Sequence, residues 1–379
     1  MEIGVLGSGQ LGRMMALAGY PLGLRLRFFE CAADSPACQV AECVHACFDD
    51  LDALASFARG VDVVTYEFEN VPLSAARHAA EHAPRFAPPL RALEMAQDRY
   101  IQKRFFQEIG VATAVFCPVN SRAELTPAIE ATGLPAVLKT RRWGYDGKGQ
   151  VVLREQADVD RVWQAMEGLP LILEKWVPFR RELSLIAVRS VRGETRFYPL
   201  TENVHREGIL RLSIAPAPAS SGLEGTARAL AEKIFAALDY AGVLTLEMFE
   251  ADGRLFANEM ATRVHNSGHW TIEGAETSQF ENHLRAVAGL PLGSVAPRGC
   301  SAMVNFIGSL PESAAVLTIP GTHLHLYGKT PRPRRKLGHA TLRAASHASL
   351  TASLGRLLKI AGEDTLAQNP ALIETSWAG

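Results

Sequence analysis

Two glutamates in the segment VLTLEMFEADGRLFANEMATR, residues 243–263, are candidate metal ligands. The D-G dipeptide between two apolar runs predicts a β-hairpin with its turn at that dipeptide. Counting back from the turn pairs residues whose numbers sum to about 505, so Glu247 lies within reach of Asn258 and Glu259. Oxygen ligands on neighbouring strands suit Mg²⁺, which usually bridges to substrate phosphates. Solvent-facing glutamates are the alternative, but these strands are otherwise apolar, and a buried carboxylate needs a partner.

A second stretch, KTRRWGYDGKGQ at residues 139–150, suits phosphate binding. Lys139 ends an apolar strand, and three glycines then make a flexible loop whose backbone N–H groups can fold over phosphate oxygens. Lys139 and Lys148 supply positive charge for those oxygens. The loop is not a P-loop, because G-x-x-x-x-G-K-[ST] requires glycine where Arg142 stands and a hydroxyl residue where Gly149 stands. A solvated hairpin tip is the alternative.

Polar residues also crowd the loop MATRVHNSGHWT, residues 260–271. Its two histidines are four positions apart, but the N-S-G between them argues against the regular helix of a zinc-protease site. The loop therefore favours an anion or a substrate, with a polar surface loop as the alternative. The polar residues that crowd this loop are Arg263, His265, Asn266, Ser267 and His269.

A basic stretch, KTPRPRRKLGH at residues 329–339, carries Lys329, Arg332, Arg334, Arg335 and Lys336. A run of charge is usually a solvated face. Lys plus Arg (39) almost balance Asp plus Glu (40) over the whole chain, so no nucleic-acid partner is expected. A single phosphate on a small substrate is the more economical interpretation.

The stretch GVLGSGQLG, residues 4–12, ends in the spacing G-x-G-x-x-G between a predicted strand and helix. This is the dinucleotide fingerprint, and Glu30 ends the second predicted strand where an NAD site places a carboxylate for the ribose. Taken alone, the turn favours a nicotinamide-dependent oxidoreductase. Glycine turns of this kind also serve simply for close strand–helix packing.

These stretches sit on a chain of 379 residues, long enough for two or three domains. The first 90 or so residues alternate strands and helices, which predicts a parallel sheet. The Pro-rich segment APRFAPPLRALEMAQDR then indicates a boundary, and the middle of the chain mixes helices with strands that end in charged residues. The last part predicts strands at SAMVNFIGSL and HLHLYGK and one helix at SLTASLGRLLKIAG.

Composition excludes several classes of protein. Apolar residues make up 47% and charged residues 21%, as in a soluble globular protein. No uncharged run approaches the ~18 residues that a membrane-spanning helix needs, and the chain opens directly into an apolar strand, so neither a membrane nor a signal peptide is expected. Six cysteines include four in residues 31–47, but no C-x-x-C occurs. Buried thiols in a reducing cytoplasm are the favoured interpretation.

Taken together, the motifs resemble the ATP-grasp superfamily and, within it, the 5-(carboxyamino)imidazole ribonucleotide synthase family. The resemblance rests on GSGQLGRM, YEFENVP, QDR, KTRRWGYDGKGQ, RRELSLIAVR, YPLTENVHREGIL, NEMATRVHNSGHWT and YGKTPRPRRKLGH. It implies a mixed α/β and α+β chain with three parts. These are an N-terminal Rossmann-like (pre-ATP-grasp) domain at residues 1–93, a central ATP-grasp domain at residues 94–297, and a small C-terminal β-rich domain at residues 298–379.

The resemblance also implies roles for individual residues. ATP would contact Arg99, Lys139, Tyr145, Asp146, Gly147, Lys148, Gly149, Gln150, Glu174, Lys175, Trp176, Val177, Glu182, His205, Asn258 and Glu259. Mg²⁺ would bind Glu247 and Glu259. The substrate would contact Gln10, Leu11, Glu67, Asn266, Ser267, Lys329, Arg335 and Lys336. Catalysis would involve Tyr145, Asp146, Lys148, Arg263 and His269.

The implied reaction is attack of bicarbonate on the γ-phosphate of ATP, giving carboxyphosphate. That intermediate, or CO₂ released from it, would then be captured by the exocyclic amine of aminoimidazole ribonucleotide. A cytoplasmic homodimer is the expectation that accompanies this family. Thr262, which stands where proline is common, puts the rigidity of the substrate loop in question. The alternatives are a ligase for another amine, a regulatory nucleotide-binding protein without catalysis, and the nicotinamide-dependent oxidoreductase.

Overall fold

The computed structural model describes residues 1–32, 35–144 and 148–368. Its strands are β1 (Glu2–Leu6), β2 (Arg25–Phe29), β3 (Glu42–Val44), β4 (Val63–Tyr66), β5 (Phe116–Val119), β6 (Ala136–Thr140), β7 (Gln150–Leu153), β8 (Leu171–Lys175), β9 (Arg181–Arg189), β10 (Thr195–Phe197), β11 (Thr201–Arg206), β12 (Ile209–Ala215), β13 (Gly242–Ala251), β14 (Arg254–Ala261), β15 (Cys300–Ile307), β16 (Thr322–Leu326) and β17 (Lys336–Ala344).

The helices are α1 (Gln10–Gly19), α2 (Leu51–Arg59), α3 (Leu73–His82), α4 (Leu90–Ala96), α5 (Arg99–Glu108), α6 (Arg122–Thr132), α7 (Asp158–Met166), α8 (Ser221–Leu238), α9 (Thr271–Gly274), α10 (Gln279–Ala288), α11 (Ser313–Leu317), α12 (His347–Ile360) and α13 (Asp364–Ala367). Short 3₁₀ turns lie at Tyr20–Leu22, Ala37–Gln39 and Asn266–Gly268. Within the described residues, no helix is both long enough and apolar enough to cross a membrane.

The N-terminal part is the parallel sheet that strand–helix alternation predicts. Its strand order is β3-β2-β1-β4, and every pairing is parallel. β1 is almost entirely buried because helices cover both faces of such a sheet, which is why it reads as a continuous apolar run. The Pro-rich boundary segment is partly helical, since α4 begins directly after Pro89.

The central part places two antiparallel sheets opposite each other. The smaller has the order β5-β8-β6-β7, and the larger contains β9 and β11 to β14, with β10 pairing with the far end of β9. The hairpin is confirmed: β13 pairs with β14, and Asp252 and Gly253 both have positive φ, as a tight two-residue turn requires. α5 packs between the sheets and is capped at its N-terminus by Asp98, whose carboxylate accepts from the N–H groups of Tyr100 and Ile101.

The C-terminal strands do not form a separate sheet. β12 pairs with β15, and the larger sheet continues as β15-β17-β16 beyond the central strands. α12, which the sequence predicts, packs on β15 and β17 and buries Leu350, Leu354 and Leu357. One hydrogen-bonded sheet therefore extends from the hairpin of β13 and β14 to β17, the strand that begins at Lys336.

Two buried hydrogen bonds tie the N-terminal sheet to the central part. The hydroxyl of Tyr66 donates to Thr262 Oγ1 at 2.9 Å, and both side chains are fully buried. His283 on α10 accepts from the N–H of Val243 through Nδ1, so its Nε2–H donates to Thr65 Oγ1 at 3.0 Å. Thr262 thus anchors the loop that follows it through a hydroxyl that a proline would lack.

The cysteine expectation is wrong for most of the thiols. Cys38 and Cys43 form a disulfide, and Cys31 and Cys47 are exposed, whereas Cys300 is buried. Cys38 lies in the 3₁₀ turn at Ala37–Gln39 and Cys43 lies on β3, and their Cα atoms are 5.5 Å apart. That separation lies within the range a disulfide spans.

Candidate functional site

The hairpin brings the two predicted metal ligands together. Glu247 pairs directly with Glu259, and a bulge at that point turns Asn258 out of the regular register. Asn258 Oδ1 is buried and has no hydrogen-bond partner among the described residues. Two carboxylates and an unsatisfied carbonyl oxygen form a hard-oxygen donor set, which fits Mg²⁺.

The pKa values of the two paired glutamates shift in opposite directions. The guanidinium of Arg99 contacts Glu259 and lowers the pKa of that carboxyl group. Burial, together with the charge of Glu259, raises the pKa of Glu247. Glu247 therefore holds a proton more readily than an ordinary glutamate, and a bound cation would offset both the loss of hydration and the repulsion from Glu259.

A buried cluster of charge faces the hairpin from the smaller sheet. Lys139 at the end of β6 donates to Glu174 Oε2 at 3.0 Å, and Lys103 on α5 lies 3.2 Å from the same oxygen. Burial alone would raise the pKa of Glu174, but the two ammonium groups outweigh it and lower the pKa to about 2. Burial likewise lowers the pKa of Lys103 to about 8, although Glu174 opposes that shift. The ammonium groups of Lys103 and Lys139 thus lie together, paired with Glu174, at the base of the cleft between the sheets.

The loop after β14 carries Arg263 and His265 into the same cleft. Arg263 Nε donates to Glu69 Oε2 at 2.6 Å, which joins this loop to the acidic loop after β4. His265 Nε2 lies 3.1 Å from Glu247 Oε1. Burial, with the charges of Arg263 and Lys336, lowers the pKa of His265 well below its ordinary value. His265 therefore favours its neutral form beside the Glu247–Glu259 pair.

A chain of buried hydrogen bonds sets the tautomer of His265. The N–H of Ser267 donates to His265 Nδ1 at 3.3 Å, so Nδ1 is an acceptor and the proton lies on Nε2, which faces Glu247. Ser267 Oγ lies 2.9 Å from the same Nδ1 and accepts in turn from Ser184 Oγ. The chain continues through Asn203 Nδ2, which donates to Ser184, and Ser213 Oγ, which donates to Asn203 Oδ1. Three neighbouring strands thus fix the orientation of one imidazole ring.

His269 and Asn266 lie differently from His265. His269 is completely buried, with its ring against those of Phe280 and His339. Asn266 forms a pair of amide hydrogen bonds with Asn305 on β15. The predicted contact between His269 and the substrate amine finds no support in this placement, because the packed rings leave the imidazole no exposed surface.

The glycine turn at the N-terminus is occupied by a side chain of the protein itself. The Glu67 carboxylate accepts from the N–H of Gly9 at 2.6 Å and from that of Gly12 at 3.0 Å. A Cβ at Gly9 would stand 2.6 Å from Glu67 Oε1, so glycine is needed for this approach. Leu11 is buried in the first turn of α1, whereas Gln10 contacts the ammonium of Lys329 from the C-terminal part.

The remaining predicted residues lie on both sides of the cleft. Glu182 on β9 contacts His205 on β11, and Glu182 raises the pKa of His205 against the opposing effect of burial. A small cavity is lined by both residues and by Glu247 and Asn258. Trp176 is partly exposed and stacks on Phe179, which stacks on Phe249.

The other predicted residues lie at strand ends and in loops. The N–H of Lys175 donates to Val115, and the carbonyl of Val177 accepts from Phe179. Arg335 donates to the carbonyl of Thr330, and Lys336 begins β17. Lys148 and Gly149 lead into β7, whose first residue is Gln150. Tyr145, Asp146 and Gly147 lie outside the described residues.

Sequence analysis missed three residues of this arrangement. Lys103 lies within an ordinary amphipathic helix, and only the packing of α5 turns it toward Glu174. Glu69 sits two positions beyond Glu67 in YEFENVP, and the density of acidic residues in that loop was the available signal. His265 was noted in its loop but not selected, although its R-x-H spacing from Arg263 marked it.

Comparison with known proteins agrees with this arrangement. Family models match at residues 1–97 (ribonucleotide synthetase preATP-grasp domain), 104–280 (ATP-grasp domain) and 301–353 (phosphoribosylaminoimidazole carboxylase C-terminal domain). The N5-carboxyaminoimidazole ribonucleotide synthase of Pseudomonas aeruginosa is 52% identical over 359 residues, covering 94% of this chain and 98% of that protein. The same enzyme of Bacillus subtilis is 41% identical over 346 residues, covering 89% and 90%.

Solved structures give the same result. The N5-carboxyaminoimidazole ribonucleotide synthetase of Thermus thermophilus superposes with a TM-score of 0.91 at 55% identity, covering 94% of this chain and 98% of that one. The Aspergillus clavatus enzyme in complex with ADP and 5-aminoimidazole ribonucleotide gives 0.89 at 33% identity, covering 95% and 98%. Fold, site geometry and near-complete alignment agree, and the chain belongs to the N5-carboxyaminoimidazole ribonucleotide synthase family of ATP-dependent, ATP-grasp ligases.

Proposed function

We propose that this protein uses ATP and bicarbonate to carboxylate the exocyclic amine of 5-aminoimidazole ribonucleotide, as a step of purine synthesis. A bicarbonate oxygen attacks the γ-phosphorus, ADP leaves, and carboxyphosphate forms. The amine nitrogen then bonds to the carboxyl carbon of carboxyphosphate, or to CO₂ released from it. Phosphate leaves and the nitrogen loses a proton. The observation that carries the proposal is the meeting of the Lys139–Glu174 cluster, the Glu247–Glu259 pair and the His265 loop in one cleft.

ATP binding is assigned to the cleft between the two central sheets. Lys139, Arg99 and the loop around Lys148 supply positive charge for the phosphates, and the partly exposed Trp176 borders the segment proposed for adenine. Glu182 is assigned to the ribose hydroxyls, and His205, which contacts Glu182, is assigned to a position beside the nucleotide. Glu247, Glu259 and Asn258 would hold Mg²⁺, which supplies charge neutralisation for the transferring phosphoryl group.

The substrate side is assigned to the junction of the three parts. Gln10 positions Lys329, and with Arg335 and Lys336 that lysine provides positive charge for the ribotide phosphate. Arg263 and neutral His265 offer a cation and an N–H beside Glu247, which suits bicarbonate. Asp146 stays the candidate for handling the proton, with Tyr145 beside it. His269 is more suitable as packing beneath the loop than as a substrate contact.

The proposal also covers the limits of the three parts, the location in the cell and the assembly. The three parts have their limits near residues 1–93, 94–297 and 298–379, and the protein acts in the cytoplasm as a homodimer. Sedimentation of the purified chain at micromolar concentration measures the assembly directly. A species of one chain's mass across that range would remove the homodimer while leaving the proposed reaction untouched.

The decisive experiment is release of ADP with each substrate omitted in turn. Full activity should require ATP, bicarbonate and aminoimidazole ribonucleotide, and a Glu259→Ala variant serves as the blank for contaminating ATPase. Replacing aminoimidazole ribonucleotide with glycinamide ribonucleotide tests for a ligase of another amine. Equal ADP release without the ribotide and without bicarbonate would refute the assignment, and so would a faster reaction with the other amine.

A further inference from the structure

A cluster of nitrogen and oxygen donors lies on α3, in the N-terminal part and outside the cleft. His78 and His82 are one helical turn apart, so both side chains lie on the same face of the helix, with Glu81 beside them. One donor atom from each residue lies within 4.8 Å of the others. The two imidazole rings have their centroids 4.5 Å apart. A tetrahedral ion with bonds of about 2.1 Å needs donors about 3.4 Å apart, so the side chains would draw together from their present separation of up to 4.8 Å when they bind it.

Each imidazole already has the second hydrogen bond that metal-binding histidines use. A backbone carbonyl can only accept, so His78 Nε2–H donates to Leu51 at 3.1 Å and His82 Nδ1–H donates to His78 at 2.9 Å. These bonds fix one tautomer for each ring, so the deprotonated nitrogens, which carry the lone pairs that a metal binds, are Nδ1 of His78 and Nε2 of His82. Metal-ligating histidines almost always donate their other ring N–H in this way.

The cluster is open to solvent through a groove of about 880 Å³. The groove is lined by His78 and Glu81 and also by Cys47 and Asp49, two further residues of ligand type. Cys47 is an exposed free thiol. The site therefore has an entry path and room for a water or another ligand in an open coordination position.

We propose that His78, Glu81 and His82 bind one divalent transition-metal ion, with Zn²⁺ the ion that best fits two imidazoles and a carboxylate. The site is separate from the all-oxygen Glu247–Glu259 pair, which suits a harder cation. Because His78 also bonds to Leu51 at the start of α2, the ion stabilises the packing of α2 against α3.

The test is a Zn²⁺ titration of the full chain with a competing chromophoric chelator and millimolar Mg²⁺ present to occupy the oxygen site. The wild type should bind one Mg²⁺-resistant Zn²⁺ per chain, and Zn²⁺ should raise its melting temperature. His78→Ala and His82→Gln should each weaken binding at least tenfold and abolish the thermal shift. His45→Ala, which removes an exposed histidine elsewhere in the same part, is the matched control and should match the wild type.

ADP release by each variant checks that it is folded, since none of these residues belongs to the proposed ligase site. If His78→Ala does not fold, His82→Gln at the end of α3 carries the test. The proposal is overturned if the wild type holds no Mg²⁺-resistant Zn²⁺ or if both variants bind it as the wild type does. It is also overturned if Cys47→Ser abolishes binding that His78→Ala and His82→Gln retain.

Discussion

Glu67 accepts a hydrogen bond from the N–H of Gly9 at 2.6 Å, inside the turn that matches the dinucleotide fingerprint. The same carboxyl group accepts from Gly12, so the N–H groups at the start of α1 already have an acceptor within the protein. A pyrophosphate cannot use donors that a buried carboxylate holds. The turn links the segment after β4 to the start of α1 through Glu67, and it places Gln10 in contact with Lys329.

The first prediction is that the protein does not bind NADH. The occupied glycine turn leaves a dinucleotide without its phosphate contacts, so NADH fluorescence should show no saturable change up to millimolar concentration. A fluorescent ATP analogue titrated under the same conditions is the positive control. Saturable NADH binding that unlabelled ATP does not displace would contradict the interpretation that Glu67 occupies the phosphate-binding donors of the turn.

Gln10→Ala should weaken use of the ribotide but not of ATP. Removing the amide takes one hydrogen bond from the Lys329 ammonium, and loss of one charge-assisted hydrogen bond corresponds to a roughly tenfold rise in KM for the ribotide. The KM for ATP should stay within about twofold. Gln39→Ala is the matched control, because Gln39 bonds to the carbonyl of Gly328 in the same turn without contacting the lysine ammonium. Equal effects of the two substitutions would remove Gln10 from the ribotide site.

Glu259→Ala should lower the rate of ADP release by a factor of about 100 to 1,000 at saturating Mg²⁺. The substitution removes one of two paired carboxylates and leaves Arg99 without its partner. Glu276→Ala, which breaks an exposed pair with Arg298, should have little effect. A Glu259→Ala enzyme with normal turnover and normal Mg²⁺ dependence would exclude Glu259 as a metal ligand.

Ser184→Ala should reduce kcat without changing the KM for ATP. Ser184 donates to Ser267, and a neutral hydrogen bond of about 1 kcal/mol corresponds to a roughly fivefold fall in kcat if the orientation of His265 matters in the transition state. Ser190→Ala is the control, since Ser190 follows the same strand but caps only the turn at Arg192 and Glu194. Steady-state rates with each substrate varied will separate kcat from KM, and an unchanged kcat would make the chain of hydrogen bonds purely structural.

His283 should make the stability of the fold depend on pH. Burial lowers its pKa to about 4 from an ordinary 6.5, so the stability contributed by the neutral ring is present above pH 6.5 and lost as the pH falls toward 4. Between pH 7 and pH 5 this group should cost about 2 kcal/mol of the free energy of unfolding. Denaturant unfolding at the two pH values measures the difference, and His283→Gln should show a smaller one. An equal pH dependence in both proteins would contradict a neutral, buried His283.

The sequence predicts those features that depend on residues close together along the chain. The pairing of β13 with β14 was predictable, because a two-residue turn sets the register of the strands on either side of it. Counting from the turn placed Glu247 opposite residue 258, and a bulge shifts its partner by one residue to Glu259. α1 was also found, since its apolar spacing and preceding glycine are local signals. The motif resemblance correctly gave the family and the three-part architecture.

The sequence by itself therefore determined the local elements, the hairpin that pairs two glutamates and the family. Only the tertiary structure decided that Glu67 fills a glycine turn 58 positions away, that Lys103 joins Lys139 at Glu174, and that His265 meets Glu247. The physical reason is that turn chemistry and periodicity act between near neighbours. Which buried charges and rings meet depends instead on how whole sheets and helices pack, where leaving a polar group unpaired is costly.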